Sequence, residues 1–199
     1  MINYPFGNSY LYSEIEEKNL ISKYRNKILS EDYRKYTSPW NCDVYTTNEN
    51  GEYNKNFFED DIINVALKFT KFYSYSLGLL NEKINFRLTN MWWNVYEGKQ
   101  NQEPHIHADN HFSGVLYLTD SEQSTILYNP NEYFNFMGIN NFVGNPSAET
   151  LQVCEIPAKE NHILLFRSYL RHSVSFPKNT LTEKQARVTI AFNVKLFPI

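Results

Sequence analysis

Residues 104–118 read PHIHADNHFSGVLYL, and this stretch decides the predicted fold. It holds His105, His107 and His111 and then becomes apolar and rich in residues that favour β-strands. In an extended strand, side chains two residues apart point to the same face. We therefore expect His107 and Asp109 to project together from a strand that continues into a sheet.

A histidine and a carboxylate on one face make up most of a mononuclear metal site. Two histidines and one carboxylate bind Fe(II) on one side and leave positions open for a cosubstrate and O2. We expect the third ligand to be His172, because an apolar strand and a short turn precede it and return it to the sheet. The alternative for His172 is a histidine at a strand start that packs or faces water.

A second ligand set is also open, because His105 shares the predicted face with His107. A site made of His105, His107 and His172 is therefore conceivable. The preferred assignment remains His107, Asp109 and His172, since the carboxylate lowers the charge of the metal site. His111 is then expected to be a solvated or hydrogen-bonded bystander.

Arg187 begins a strand whose two faces differ. Arg187, Thr189 and Asn193 share one face, while Val188 and Ile190 share the other. A guanidinium that faces the interior is costly to bury without a partner, and a ligand carboxylate held by its fork would supply one. The alternatives are an internal salt bridge or a register that leaves Arg187 exposed.

Composition excludes several classes of protein. With 42% apolar and 21% charged residues, the chain is globular rather than disordered. The net charge of -3 argues against nucleic-acid binding, and no apolar run is long enough to span a membrane. Cys42 and Cys154 are expected to be free thiols, and the absence of a signal-peptide pattern favours the cytoplasm, or the host cytoplasm for a viral protein.

The hydrophobic period changes along the chain. Two helical patterns, at residues 9–29 and 56–79, precede a β-rich part that begins at residue 86. This order predicts one α+β domain, mainly β, with a helical support (1–85) and a jelly-roll core (86–199). The helices are expected to pack on the outside of one sheet. The expected strands of the core are 86–96, 112–119, 124–128, 151–156, 162–167, 171–176 and 186–196.

The motifs resemble those of the Fe(II)/2-oxoglutarate-dependent dioxygenases. The chain is most similar to the prolyl-hydroxylase-like branch and to small oxygenases of phages and marine bacteria. The likeness rests on His107-x-Asp109, the distal His172, Arg187-Val188-Thr189 and two flanking segments, residues 94–98 (NVYEG) and 113–118 (SGVLYL). It covers roughly residues 90–197.

The resemblance implies a fold and a set of roles. The fold would be a double-stranded β-helix, with Fe(II) on the preferred ligands and 2-oxoglutarate and O2 as cosubstrates. The distal carboxylate of 2-oxoglutarate would pair with Arg187, supported by Thr189 and the hydroxyls of Tyr96 or Tyr117. Core packing is the alternative role for either tyrosine. The substrate is expected near Trp92, Trp93 and the loop at residues 133–150.

The implied activity is hydroxylation of an unactivated C–H bond, possibly on a protein side chain such as prolyl. Two other functions stay open. One is a related oxygenase that acts on a nucleobase or a small metabolite, which would need stacking aromatics and a basic groove. The other is a jelly-roll metal-binding or interaction protein without turnover, which would have no use for a carboxylate clamp at Arg187.

Overall fold

The computed structural model describes residues 2–3, 9–38, 42–48, 57–79, 81–130, 152–177 and 186–199. The helices are α1 (Lys18–Ser30) and α2 (Asp60–Ser76), and short 3-10 turns lie at Tyr33–Lys35 and Asn81–Lys83. The strands are β1 (Ile2–Asn3), β2 (Tyr10–Glu14), β3 (Tyr45–Thr46), β4 (Ile84–Tyr96), β5 (Gln102–His105), β6 (Phe112–Tyr117), β7 (Ser121–Tyr128), β8 (Val153–Ala158), β9 (His162–Arg167), β10 (His172–Val174) and β11 (Arg187–Pro198).

The strands form two antiparallel sheets. The large sheet has the order β1-β2-β9-β6-β11-β4-β3, and the small sheet has the order β5-β10-β7-β8. Strand β11 pairs with β4 on one side and β6 on the other, so that Thr189 lies between Asn94 and Tyr117. This mainly β architecture with two helices confirms the predicted jelly-roll fold.

The second predicted helix is confirmed. Asp60 and Asp61 lie in the first turn of α2, where carboxylates favour the positive end of the helix dipole. Gly78 follows the helix with a φ of 76°, a left-handed conformation that glycine adopts without strain. Ile62, Ala66 and other residues of one stripe are buried against the large sheet.

The first predicted helix is partly wrong. Helix α1 begins only at Lys18, and the preceding residues 10–14 form strand β2. Strand β2 pairs with β9, where Leu11 lies opposite Leu165. The pairing partner is some 150 residues away in sequence, and the aromatic residues Tyr10 and Tyr12 favour a strand over a helix.

The two faces of the large sheet have different partners. The outer face contributes Trp93, Val188, Ile190 and Phe192 to a core that both helices complete. The inner face meets the small sheet in a second cluster, built from Tyr117, Leu127, Ile156, Ala158, Leu164, Phe166 and Leu170. The helices therefore cover the outside of one sheet, as expected. In the part of the chain described here, no helix has the length and apolar character needed to span a membrane.

Candidate active site

Three histidines converge between the two sheets, at the end of the small sheet. Each of His105, His107 and His172 offers a ring nitrogen, and these nitrogens lie within 4.8 Å of one another. The ring centroids of His105 and His172 are 4.3 Å apart, and those of His107 and His172 are 5.0 Å apart. Such a spacing fits ligands that share one metal ion.

Backbone pairing places these side chains. His105 ends β5 and lies directly opposite His172, which begins β10. His107 follows the strand, and its backbone N–H donates to the carbonyl of Ser168, in the turn after β9 (3.0 Å). Main-chain hydrogen bonds thus hold two chain segments, residues 102–107 and 168–174, together around one point.

Two of the rings have their tautomer set by a carbonyl. The Nδ1 atom of His105 lies 2.9 Å from the carbonyl oxygen of Glu103, and that of His172 lies 2.9 Å from the carbonyl oxygen of Leu170. A carbonyl only accepts, so Nδ1 carries the proton in both rings and Nε2 keeps a lone pair. Such hydrogen bonds are typical of metal-binding histidines.

Burial keeps the three imidazoles neutral. Burial, with a smaller contribution from the neighbouring His105, lowers the pKa of His107 to about 3. Burial likewise lowers the pKa of His172 well below its ordinary value, and that of His105 below its own. Neutral imidazole is the form that binds a metal, so protons do not compete for these nitrogens at pH 7.

Asp109 does not lie with the histidines. The strand ends at His105, residues 108–109 form a turn, and Asp109 is exposed with a φ of 62°. The expected extended strand through Asp109 is therefore wrong, and the shared face of His107 and Asp109 with it. The left-handed conformation, which aspartate tolerates better than most residues, breaks the two-residue alternation.

The other histidines have structural contacts. The Nδ1 atom of His111 accepts a hydrogen bond from the backbone N–H of Leu196 (3.1 Å), and the His111 N–H donates to the carbonyl of Val194. His162 lies against the Tyr12 ring, with centroids 5.0 Å apart. Neither belongs to the group of three.

Arg187 is buried in the same cavity as the histidines. Its Nη2 donates to the Thr125 hydroxyl (3.0 Å), while its Nε has no hydrogen-bond partner among the described residues. The guanidinium carbon lies 4.9 Å from the centre of the Tyr96 ring and 5.6 Å from that of Tyr117. A buried cation with an unused donor is suited to a carboxylate ligand.

The predicted supporting residues surround Arg187. Burial raises the pKa of both Tyr96 and Tyr117, and the guanidinium partly offsets this, so both hydroxyls stay protonated. The Tyr96 hydroxyl donates to Gln102 (2.8 Å), and the Tyr117 hydroxyl lies 2.8 Å from that of Thr125. Thr189 lines the cavity beside them.

Sequence reasoning missed Thr125 and gave no role to Asn193. Thr125 joins Arg187 to Tyr117, but its position depends on pairing between β7 and β10, which leaves no local pattern. Asn193 shares the face of Arg187, a pattern that could have identified it. Trp92 lines the cavity near His107, whereas Trp93 lies in the outer core. The loop at 133–150 lies outside the described residues.

A family model described as "Putative 2OG-Fe(II) oxygenase" matches residues 90–193, which is more than half of the chain. The match includes residues 90–96 of β4, the three histidines and Arg187. No curated protein matches the chain.

Solved structures share the fold at low sequence identity. HygX from Streptomyces hygroscopicus, with nickel and 2-oxoglutarate bound, has a TM-score of 0.60 at 11% identity, over 94% of this chain and 83% of that one. A Pseudomonas putida prolyl-4-hydroxylase has a TM-score of 0.56 at 12% identity, over 94% and 93%. The viral collagen prolyl hydroxylase of Paramecium Bursaria Chlorella virus-1 has a TM-score of 0.52 at 10% identity, over 93% and 94%.

The structural neighbours establish the fold, and the family match extends across the cavity that holds the histidines and Arg187. The chain belongs to the 2OG-Fe(II) oxygenase family and is an enzyme that uses Fe(II), 2-oxoglutarate and O2.

Proposed function

We propose that this oxygenase hydroxylates an unactivated C–H bond of a protein side chain, with prolyl as the leading class. One observation carries the proposal. One buried and two half-buried imidazoles share a cavity between the sheets with a buried guanidinium, whose Nε has no hydrogen-bond partner among the described residues. In this assignment His105, His107 and His172 hold the iron, and His105 takes the place first expected for Asp109.

The donor set fits the metal. Imidazole nitrogen suits iron as well as zinc, copper and nickel, so the ligands admit iron and the family selects it. Iron bound there would supply the activation of O2 that attack on a C–H bond requires. The protein's own part is to present three neutral nitrogens in a fixed arrangement and to keep bulk water away from them.

The chemistry of Arg187 fits 2-oxoglutarate. The cosubstrate has two carboxylates, and the guanidinium would pair with the one farther from the metal. Thr125 already holds Nη2, which leaves Nε free to donate to the ligand. The Tyr96 and Tyr117 rings flank the guanidinium and limit the positions that the carboxylate can take.

A second cavity marks the side on which substrate would enter. It measures about 300 Å³ and is lined by Asn48, Gln102, Glu103, His105, Ile106 and His107. Ile106 is 53% exposed, so one apolar side chain of the cavity lining reaches the surface. An opening of this kind favours a side chain that enters from a docked peptide. Prolyl leads because two proteins with the same fold are prolyl hydroxylases.

The test is substrate-stimulated turnover of 2-oxoglutarate. The iron-loaded protein is mixed with 2-oxoglutarate, O2 and either peptide libraries or pools of nucleobases and small metabolites, and succinate is measured. We expect prolyl-containing peptides to stimulate succinate formation and to gain the mass of one oxygen atom. Stimulation by the metabolite pool and by no peptide would refute the protein substrate and leave the oxygenase assignment in place.

A further inference from the structure

A network of three hydrogen-bonded polar side chains lies behind His107 and has no part in the proposed function. Asn193 on β11, Ser113 on β6 and Ser168 in the turn after β9 are all nearly inaccessible to solvent. The Ser113 Oγ lies 2.7 Å from Oδ1 of Asn193 and 2.8 Å from the Ser168 Oγ. Buried polar groups are costly unless they are hydrogen-bonded, so the amide nitrogen of Asn193, at the end of this network, needs a partner.

That partner is His107. The side-chain amide nitrogen of Asn193 lies 3.4 Å from Nδ1 of His107. Carbonyl oxygens fix the tautomers of His105 and His172, but His107 faces an amide, which can present either a donor or an acceptor. The orientation of the Asn193 amide therefore decides which nitrogen of His107 carries the proton.

Only one orientation is compatible with a metal on Nε2. With the amide nitrogen toward His107, Nδ1 accepts and the ring proton lies on Nε2. A half-turn of the amide presents Oδ1 to an N–H at Nδ1 and leaves a lone pair on Nε2. The two orientations place oxygen and nitrogen in nearly the same positions, and the hydrogen-bond network selects between them.

We propose that Asn193 is a positioning residue, which accepts a hydrogen bond from Nδ1–H of His107 and thereby directs Nε2 to the metal. In this orientation the amide N–H donates to the Ser113 oxygen, and the Ser113 hydroxyl donates to Ser168. Each contact from His107 to Ser168 then joins a donor to an acceptor, and the half-turn only exchanges the oxygen and nitrogen of the amide. The inference rests on the proposed role of His107 as a ligand.

Two substitutions separate this role from simple packing. A carboxylate at this position can only accept, so Asn193→Asp holds His107 in the tautomer that the proposal requires. Asn193→Leu keeps a similar volume and removes the acceptor. Thr70→Val is the control, because it deletes a buried hydroxyl that donates to the Ala66 carbonyl within α2, away from the histidines.

The experiment measures the dissociation constant for Co(II) from its visible absorption, with the full chain and no substrate. We expect Asn193→Asp and Thr70→Val to bind as the wild type does and Asn193→Leu to bind about 10- to 100-fold more weakly, as the loss of a ligand's hydrogen-bond partner usually does. Equal weakening in the Asp and Leu variants would overturn the proposal. So would wild-type affinity in the Leu variant.

A second measurement reads the tautomer in the wild type itself and uses a variant only to assign the signal. Long-range ¹H–¹⁵N NMR of the zinc-loaded wild type reports the protonated nitrogen of each ring, with His107→Gln to assign the signal. We expect the proton of His107 on Nδ1; a proton on Nε2 would overturn the inference. Failure of the wild type to bind any metal would refute the proposed function itself. That result differs from metal binding whose affinity does not change when Asn193 is substituted.

Discussion

The two faces of strand β11 have different roles: one packs in the apolar core, and the other lines the cavity with the histidines. Val188, Ile190 and Phe192 point outward into the core shared with the helices. Arg187 and Thr189, one residue out of step, point inward to the cavity with the histidines. Both faces are buried, yet only the inner one is polar. We therefore expect that stability and ligand binding can be altered separately by substitutions along this one strand.

The largest expected effect is on the outer face. Phe192→Ala removes a ring that is inaccessible to solvent, and we expect a loss of about 3–5 kcal/mol in the free energy of unfolding. Denaturant titration measures it. Folded protein should still bind 2-oxoglutarate with wild-type affinity; a matched loss of affinity would show that the two faces are coupled.

The reverse pattern is expected on the inner face. Arg187→Met removes the proposed carboxylate partner, and we expect 2-oxoglutarate binding to weaken by about 2–5 kcal/mol, or roughly 30- to several-thousand-fold. Stability without ligand should not fall, because a buried cation with an unsatisfied donor is itself costly. The measurement is titration of the Fe(II) protein with 2-oxoglutarate, with no O2 present, followed by its visible absorption band.

Arg34→Met is the matched control for that experiment. Arg34 is exposed and pairs with Glu97, so its loss removes the same charge without touching the cavity. Equal weakening in both variants would mean that overall charge, rather than the guanidinium at Arg187, governs binding of the cosubstrate.

A smaller effect is expected at Gly114 of β6, which lies opposite Phe192 of β11. A Cβ added at Gly114 would clash with the buried Phe192 ring. We expect Gly114→Ala to destabilise the protein by about 1–3 kcal/mol, the usual cost of overpacking. Thermal or denaturant unfolding checks this, and the double variant Gly114→Ala/Phe192→Leu should recover part of the loss. Additive losses in the double variant would refute the steric explanation.

The smallest effect, counted for one residue and one pH unit, concerns the histidines. The pKa of each of the three cavity histidines is lowered in the folded protein, so the unfolded chain binds more protons below its ordinary value of about 6.5. Each histidine should therefore reduce the stability of the metal-free protein by up to about 1.4 kcal/mol per pH unit as pH falls below that value. The free energy of unfolding should depend less steeply on pH in His172→Asn than in the wild type. An unchanged dependence would contradict the burial of His172 as a neutral imidazole.

Local patterns predicted the strand faces well. The alternation in β11 identified Arg187 and Thr189 as inward residues, and the adjacent Trp92 and Trp93 point to opposite sides as an extended strand requires. These features depend only on the two-residue period. The buried stripe of α2 could likewise be predicted from the sequence, since its apolar residues and Gly78 lie close together along the chain.

The predictions from sequence are wrong where the backbone departs from a regular strand or where a strand pairs with a distant segment. The face assignment of Asp109 assumed an unbroken strand, whereas the chain turns at residues 108–109 with a left-handed Asp109. The small and polar residues from Ala108 to Asn110 favour such a turn. Strand β2 and the position of Thr125 depend on partners far away in sequence, which no local pattern contains.

The most direct measurement compares metal binding in His105→Ala and Asp109→Ala. Both variants are titrated with Co(II) without substrate, and the visible absorption gives the dissociation constants. A three-histidine centre predicts that His105→Ala weakens binding by at least about 100-fold, more than the loss of an outer partner costs, while Asp109→Ala leaves it unchanged. Loss of binding in Asp109→Ala, with His105→Ala unaffected, would contradict the three-histidine centre and restore the carboxylate as the third ligand.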